Sequence, residues 1–271
     1  MSIDRLRAHY GFTRQPFSKD LAPQMLHTHR AHAEAVARIS WCITERAIGV
    51  ITGECGSGKT IAARAAVAAC DPSRHTVVYL GTPGVGTRGT YAAIVAALGG
   101  TPRFHAAALI PQAQDALAAE ASERGKTVTV IVDEAHMADA ETLEGLRCLA
   151  NAGMDAAPPF CLLLLGQPML RRRLRLGAYM ALDQRVGLRY ALSGLDLAEC
   201  ASYIAHHTAL AGRSDRLFSD DAITLIHQVS RGLPRAINNL AVQSLVATFA
   251  AGKAIVDESA ARAAAAEVAA E

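Results

Sequence analysis

The sequence predicts an α/β fold in which helices flank a parallel β-sheet and a small all-helical domain follows. Three observations carry this prediction. Short apolar segments alternate with helical patterns as far as residue 193, and such alternation is typical of a parallel sheet. A glycine-rich loop joins the first of these segments to the next helix. Beyond residue 193 only helical patterns remain, which predicts a domain boundary there.

Each predicted strand is a short, largely apolar run, and β-branched residues mark the runs at residues 75–80 and 128–132. Residues 128–132 form an unbroken run of this kind, as expected for a central parallel strand that is buried on both faces. The five predicted strands are residues 47–52, 75–80, 128–132, 160–165 and 186–192.

Helices are predicted where apolar residues recur at spacings of three and four, as Val36, Ile39 and Ile43 do. Residues 1–28 lack this pattern and predict an extended or turn-rich segment, and residues 81–89 predict a loop. The predicted domains are residues 1–28, 29–193 and 194–271. The predicted helices are residues 29–46, 61–70, 90–98, 106–124, 139–151, 195–210, 220–230, 234–249 and 257–271.

Composition narrows the class of protein. Of the 271 residues 51% are hydrophobic and 19% charged, which favours a folded core over disorder. A net charge of +2 permits nucleic-acid binding without requiring it, and 5% aromatic residues argue against a base-stacking platform. The absence of a signal peptide, a membrane-length apolar run and a C-x-x-C pair predicts a soluble cytoplasmic protein with no membrane partner and with reduced cysteines.

The glycine-rich loop at residues 53–60 matches the phosphate-binding pattern G-x-x-x-x-G-K-[ST] in full. It follows a predicted strand and opens a predicted helix, so a turn that binds nothing is disfavoured. Glycines let backbone N–H groups converge on phosphate oxygens. We expect Lys59 to reach the β and γ phosphates of a nucleoside triphosphate and Thr60 to ligate Mg²⁺. The predicted nucleotide-binding residues are Gly53, Glu54, Cys55, Gly56, Ser57, Gly58, Lys59, Thr60 and Asp133.

Two acidic residues follow the predicted strand at residues 128–132, at the sheet edge where ligands bind in such folds. Asp133 is expected to hold Mg²⁺ together with Thr60, directly or through water, and Glu134 to orient or activate the attacking water. A solvated acidic pair is the alternative, and the phosphate loop disfavours it. His136 completes an Asp-Glu-Ala-His run, to which we assign a structural role because other helicase signatures are not apparent.

Polar residues elsewhere complete the candidate site. Gln167 follows the strand at residues 160–165 and would touch the γ-phosphate or the lytic water, unless it only forms a turn. Arg185 would stabilise charge across a subunit boundary. Arg235 follows Pro234, which fixes the first helical turn, and would reach the γ-phosphate. The basic run at residues 171–175 favours a solvated helix face over a phosphate contact or subunit interface.

The order of these motifs resembles that of the ExeA-like AAA+ ATPases, a group similar to the TnsC/TniB transposition ATPases. The resemblance covers residues 8–250. Its more specific parts lie near the two ends of this range. The motifs that carry it are Tyr10-Gly11-Phe12, Pro16-Phe17, the phosphate loop, Asp133-Glu134-Ala135-His136, Gly166-Gln167-Pro168, Gln184-Arg185 and Gly232-Leu233-Pro234-Arg235-Ala236-Ile237-Asn238.

The resemblance implies an AAA+ core with a helical lid and nucleotide-dependent homo-oligomers. It implies that Gln167 acts as sensor 1, Arg185 as the arginine finger, with Arg189 as a nearby alternative, and Arg235 as sensor 2. It also implies that the N-terminal segment, including Phe12, Phe17 and residues 27–29, lines the adenine side.

Two uses are known in the groups that the chain resembles. Our leading hypothesis is a transposition-accessory ATPase that oligomerises on duplex DNA with weak sequence preference and serves a DDE-type transposase. The alternative is a secretion- or assembly-related ATPase that acts on protein partners without DNA, and a nucleotide-gated switch with negligible turnover is a third. The candidate DNA contacts are the loop at residues 81–89 with Thr82, Thr87 and Arg88, and also Arg103 and Lys126.

Overall fold

Five parallel strands form one sheet in a computed structural model of the protein, which describes residues 3–18, 21–151 and 158–269. The strand order is β2-β3-β4-β1-β5, so the chain crosses over between neighbouring strands. The α/β fold and its parallel sheet are therefore confirmed. The strands are β1 (Ile48–Thr52), β2 (His75–Leu80), β3 (Thr127–Val132), β4 (Phe160–Gly166) and β5 (Val186–Ala191).

Burial along the strands follows their place in the sheet. The central strands β1 and β4 are buried at every residue, because helices cover both faces. The edge strand β2 instead exposes Val77 and Tyr79 on one face. The unbroken apolar runs thus mark the middle of the sheet.

Residues His32–Glu54 and Lys59–Leu192 make up one compact unit, the sheet unit. Its core joins the strands to apolar residues of the flanking helices, such as Leu109, Leu146 and Leu170. The helices are α2 (Arg30–Glu45), which begins two residues before this unit, α3 (Lys59–Ala68), α4 (Gly86–Ala97), α5 (Ala106–Ser122), α6 (Ala140–Leu149), α7 (Pro168–Leu174) and α8 (Met180–Arg185).

The second compact unit, the helical unit, combines Met1–Ala31, Cys55–Gly58 and Ser193–Glu271. Its core contains Tyr10, Phe12 and Phe17, each at most 6% exposed, beside residues of the C-terminal helices. Phe17 stacks on His207 with 5.2 Å between ring centroids. These aromatic rings pack in the helical core, and their expected place on the adenine side stays a prediction. The helices are α1 (Ile3–Tyr10), α9 (Leu197–Leu210), α10 (Asp220–Ser230), α11 (Pro234–Ala250) and α12 (Glu258–Ala269).

The N-terminal segment differs from the expectation, because α1 is a helix where an extended or turn-rich stretch was predicted. A helix this short is stabilised by packing more than by its own sequence. The Tyr10 hydroxyl donates to Leu245 O at 2.8 Å, which fastens α1 to α11. The three predicted domains stay a prediction. Residues 1–2, 19–20, 152–157 and 270–271 of the predicted domains lie outside the described residues.

Local boundaries also differ. The predicted loop at residues 81–89 is shorter, because α4 begins at Gly86 after a 3₁₀ turn at Pro83–Val85. Helix α8 was not predicted, and only a helical face at residues 171–175 was predicted for α7, although Pro168 occupies the favoured first-turn position of that helix. Among the described residues, no helix combines the length and apolar character needed to cross a membrane.

A close backbone approach fixes the beginning of α11. Leu195 N–H donates to Gly232 O at 2.8 Å. A Cβ at Gly232 would lie 2.0 Å from Leu195 O, and the residue has φ +71°, a conformation that favours glycine. The two residues that follow, Leu233 and Pro234, lead directly into the helix that carries Arg235.

Candidate functional site

The phosphate loop leaves the end of β1 and enters α3 at Lys59. Gly56 and Gly58 have φ of +79° and +98°, so both positions favour glycine. The Lys59 ammonium donates to Gly53 O at 2.8 Å and to Glu54 O at 3.0 Å. Lys59 is only 5% exposed. The loop therefore holds a buried positive charge at its centre.

Ser57 supplies a second feature that fits a phosphate group. Ser57 is 1% exposed, and its Oγ has no hydrogen-bond partner among the described residues. A buried hydroxyl without a partner costs free energy, commonly about 1–3 kcal/mol. A phosphate oxygen bound in the loop would accept this hydrogen bond.

Asp133 is the point where three elements meet. Its Oδ2 accepts hydrogen bonds from Thr60 Oγ1 at 2.7 Å and from the Tyr79 hydroxyl at 2.8 Å. Its own N–H donates to Leu80 O at 2.9 Å, beside the end of β2. The structure thus brings together Thr60 and Asp133, the two residues predicted to hold Mg²⁺.

Tyr79 is a site residue that sequence reasoning missed. Burial around its hydroxyl, followed by the hydrogen bond to Asp133, raises the pKa of Tyr79 to about 12. The hydroxyl therefore stays protonated at neutral pH and donates to the carboxylate. No local motif marks this residue, because its contact depends on β2 lying beside β3.

Glu134 turns away from the strand into a left-handed backbone conformation, with φ 50° and ψ 36°. Its N–H donates to Asp133 Oδ1 at 2.9 Å. Its Oε2 lies 3.3 Å from His136 Nδ1, and the same nitrogen lies 3.4 Å from Gln167 N. His136 therefore links the acidic pair to the end of β4, as a residue with a structural role would.

Gln167 occupies the N-cap position of α7, directly after β4, and its side chain makes no capping hydrogen bond. The residue before it, Gly166, accepts a hydrogen bond from Gly53 N–H at 3.2 Å. The end of β4 is thereby joined to the first residue of the phosphate loop. Gln167 is therefore the next residue after Gly166, whose carbonyl oxygen contacts the phosphate loop.

Arg235 contacts the phosphate loop within the helical unit. Its N–H donates to Gly56 O at 3.3 Å, and its Nη1 donates to Cys55 Sγ at 3.5 Å. A Cβ at Gly56 would lie 2.6 Å from Arg235 Cβ. The glycine at this position thus gives Arg235 room against the loop.

The two finger candidates lie elsewhere in the sheet unit. Arg185 ends α8, and its charge, after the hydrogen bond and charge of Arg147, helps to lower the pKa of Glu144. Arg189 pairs with Asp183 at 2.9 Å. Neither contact selects one arginine as the finger.

The basic run at residues 171–175 is not uniform. Arg171, Arg172 and Arg175 are exposed, as predicted for a solvated face. Arg173 is half-buried and donates to His136 O, to Ala138 O at 2.8 Å and to the Tyr179 hydroxyl at 2.6 Å. Arg173 thus connects α7 to the turn that follows the acidic pair. The sequence does not distinguish this arginine from its three neighbours.

Replacing Arg173 with alanine is expected to lower the free energy of unfolding by about 2 kcal/mol, because buried carbonyl oxygens lose a charged donor. Urea denaturation checks this value. The matched control is Arg172→Ala, which removes an exposed arginine from the same helix. Equal stability of the two variants would contradict the tie that we assign to Arg173.

The residues present suit a nucleotide with a divalent cation. Among the described residues, no group of three or more His, Cys, Asp or Glu side chains is arranged to hold a metal ion. The oxygens of Thr60 and Asp133 converge instead beside the phosphate loop. This arrangement fits Mg²⁺, which is commonly bound by one or two protein oxygens plus substrate phosphates.

The strand order, the loop after β1 and the acidic pair after β3 are together those of an AAA+ P-loop fold. Residues 43–174 match the family described as AAA domain. The chain is also similar to General secretion pathway protein A of Aeromonas hydrophila, with 31% identity over 247 residues. This similarity covers 90% of the chain and 45% of that protein, so the chain spans under half the length of its relative.

Solved structures share the fold. The ORC2 protein of Aeropyrum pernix, solved as ADPNP–ADP complexes, has a TM-score of 0.69 and 19% identity, covering 94% of this chain and 72% of that one. The ORC1 protein of Aeropyrum pernix in complex with DNA has a TM-score of 0.70 and 12% identity, covering 93% and 68%. The RuvB Holliday junction branch migration motor of Thermotoga maritima has a TM-score of 0.60 and 16% identity, covering 92% and 72%. These likenesses show a shared fold.

Proposed function

We propose that this chain binds ATP with Mg²⁺ and hydrolyses it. The contact between Thr60 Oγ1 and Asp133 Oδ2 at 2.7 Å carries the proposal, because it joins the end of the phosphate loop to the acidic pair. The loop and Lys59 would hold the phosphates, and Thr60 and Asp133 would hold Mg²⁺, which would supply charge neutralisation at the phosphates. Glu134, one residue beyond Asp133, accepts a proton from the attacking water.

Three further residues are assigned roles in the same reaction. Gln167 orients the water or the γ-phosphate, a role supported by the bond between Gly166 and the loop. Arg235 senses the γ-phosphate, a role supported by its contacts with Cys55 and Gly56. Arg185 serves a neighbouring copy in a homo-oligomer as the finger. This last role rests on the family resemblance.

The partner is the finer part of the proposal. Similarity to General secretion pathway protein A over 90% of this chain favours an assembly-related ATPase that acts on protein partners. In this use, ATP binding and hydrolysis switch the chain between a state that binds the partner and a state that releases it.

A DNA-directed use, with oligomers on duplex DNA that recruit a DDE-type transposase, is the second candidate. Arg88 stacks over the ring of Phe104 at 5.0 Å, and Phe104 is 77% exposed. An exposed arginine on an aromatic ring is a surface that suits nucleic acid. Lys126 precedes β3 and lies at the opposite end of the sheet from Thr82, so these two candidate contacts do not form one surface.

Duplex-DNA binding separates the two uses. The purified chain is mixed with DNA in the absence of nucleotide, with ADP and with a slowly hydrolysed ATP analogue, and particle size is followed in the same samples. DNA retention only with the analogue, weakened steeply by salt and by Arg88→Ala but not by Arg74→Ala, supports the transposition use. Assembly with the analogue but without DNA binding supports the protein-directed use and contradicts the assignment of the DNA-contact residues.

A further inference from the structure

A cavity of about 280 Å³ opens in the sheet unit between α7 and the strands β1 and β5. Nothing in the proposed reaction uses it. Its polar and charged lining consists of Thr52, Arg171, Arg175, Asp183, Arg189 and Tyr190. Three guanidinium groups and a single carboxylate therefore surround one small space.

The carboxylate in this cavity is already paired. Asp183 Oδ1 accepts from Arg189 Nη2 at 2.9 Å, and Asp183 O accepts from the same nitrogen. Arg189 Nη1 also donates to Val186 O at 3.3 Å. Arg189 is therefore held in place, and the charges of Arg189 and Asp183 offset each other.

The other two arginines have no such balance. Arg171 lies on α7, and Arg175 is the C-cap residue of that helix with a helical backbone conformation. The two are four residues apart, so both project from the same face. Among the described residues, neither side chain has a hydrogen-bond or ion-pair partner. Like charges at this spacing repel each other. The cavity thus carries an excess of two positive charges that a bound anion would neutralise.

Buried and apolar residues line the inner part of the cavity. Thr52, 3% exposed, lies there with its hydroxyl 3.5 Å from Tyr190 O. Val50 and Leu174 add apolar wall. A volume of this size suits a small molecule and lies near the lower end of typical ligand pockets, about 300–1,000 Å³.

We propose that this cavity binds the phosphate group of a small phosphorylated molecule or inorganic phosphate. A phosphate dianion matches the excess of two positive charges, and guanidinium groups match the geometry of its oxygens. A monocarboxylate would leave one positive charge unbalanced. The inference is independent of the ATPase proposal, because the lining includes neither the phosphate loop nor the acidic pair.

The cavity lies beside α7, so binding of an anion there affects this helix. Helix α7 begins at Pro168, next to Gln167, and Arg173 on the same helix contacts the backbone after the acidic pair. An anion held by Arg171 and Arg175 draws α7 toward β5 and stabilises that helix.

The test compares Arg171→Gln/Arg175→Gln with the matched control Arg172→Gln/Arg74→Gln, which removes two exposed arginines that do not line the cavity. All chains carry Lys59→Ala to weaken phosphate binding at the loop. Inorganic phosphate, glycerol 3-phosphate and succinate are titrated at constant ionic strength by calorimetry, with thermal unfolding as the check on folding.

We expect phosphate binding by the Lys59→Ala chain and by the control, and an affinity at least tenfold lower in the cavity variant. Tighter glycerol 3-phosphate than inorganic phosphate identifies an organic phosphate, and the reverse identifies the free ion. Equal phosphate affinity in the cavity variant and the control would overturn the proposal. So would succinate binding as tight as phosphate, or the absence of binding to the Lys59→Ala chain.

Discussion

Replacing Glu134 with glutamine is expected to leave ATP bound and to lower its turnover by about 10²- to 10⁴-fold. The amide keeps the size of the side chain but cannot accept the proton of the attacking water. Nucleotide affinity is retained because Lys59 and Asp133, with their contacts, are unchanged. Steady-state phosphate release and equilibrium binding of a fluorescent ATP analogue measure the two quantities.

The matched control for this variant is Glu141→Gln, which removes an exposed acid from the first turn of α6. It should turn ATP over at the rate of the parent chain. Parental turnover by Glu134→Gln would refute the role of Glu134, and loss of nucleotide affinity would show that the carboxylate binds rather than activates.

Replacing Lys59 with alanine is expected to weaken nucleotide binding at least tenfold. Its ammonium lies at the centre of the loop, and a hydrogen bond to a charged group contributes about 1.5–3 kcal/mol, where 1.4 kcal/mol is tenfold in affinity. Titration calorimetry with ADP and with a slowly hydrolysed ATP analogue measures the change. The loss should be larger for the triphosphate, because Lys59 is expected to contact the γ-phosphate.

Folding has to be checked in this variant, because Lys59 also donates to Gly53 O and Glu54 O. Arg64→Ala, an exposed cation on the same helix, is the matched control. If Lys59→Ala melts like the control and still binds both nucleotides with parental affinity, the phosphate loop is not the nucleotide site.

The sequence predicted those parts of the fold and site that rest on local pattern. Apolar runs identified all five strands, and the acidic pair follows its strand at the sheet edge where Thr60 meets Asp133. Contacts that depend on which elements lie side by side were not predictable. Tyr79 meets Asp133 only because β2 neighbours β3, and Arg173 differs from Arg172 only in the direction in which it leaves α7.

Packing explains the remaining differences in the fold. Helix α1 has too few residues to be stable alone, and its attachment to α11 through Tyr10 is a long-range contact that no local pattern reveals. Gly86 and Gly89 favoured a loop by composition, yet α4 incorporates both. Tyr91 and Ile94 of α4 are buried in the core, and this burial outweighs the low helix propensity of the two glycines.

The backbone conformation at Glu134 lowers the stability of the fold. A left-handed conformation at a residue other than glycine commonly costs about 1–3 kcal/mol, and Glu134 adopts it at φ 50°. Glycine would relieve this strain, yet it would also remove the carboxylate. A chain selected only for stability would discard glutamate here, so we expect a mutation that stabilises the protein at this position to remove the base that we propose for hydrolysis.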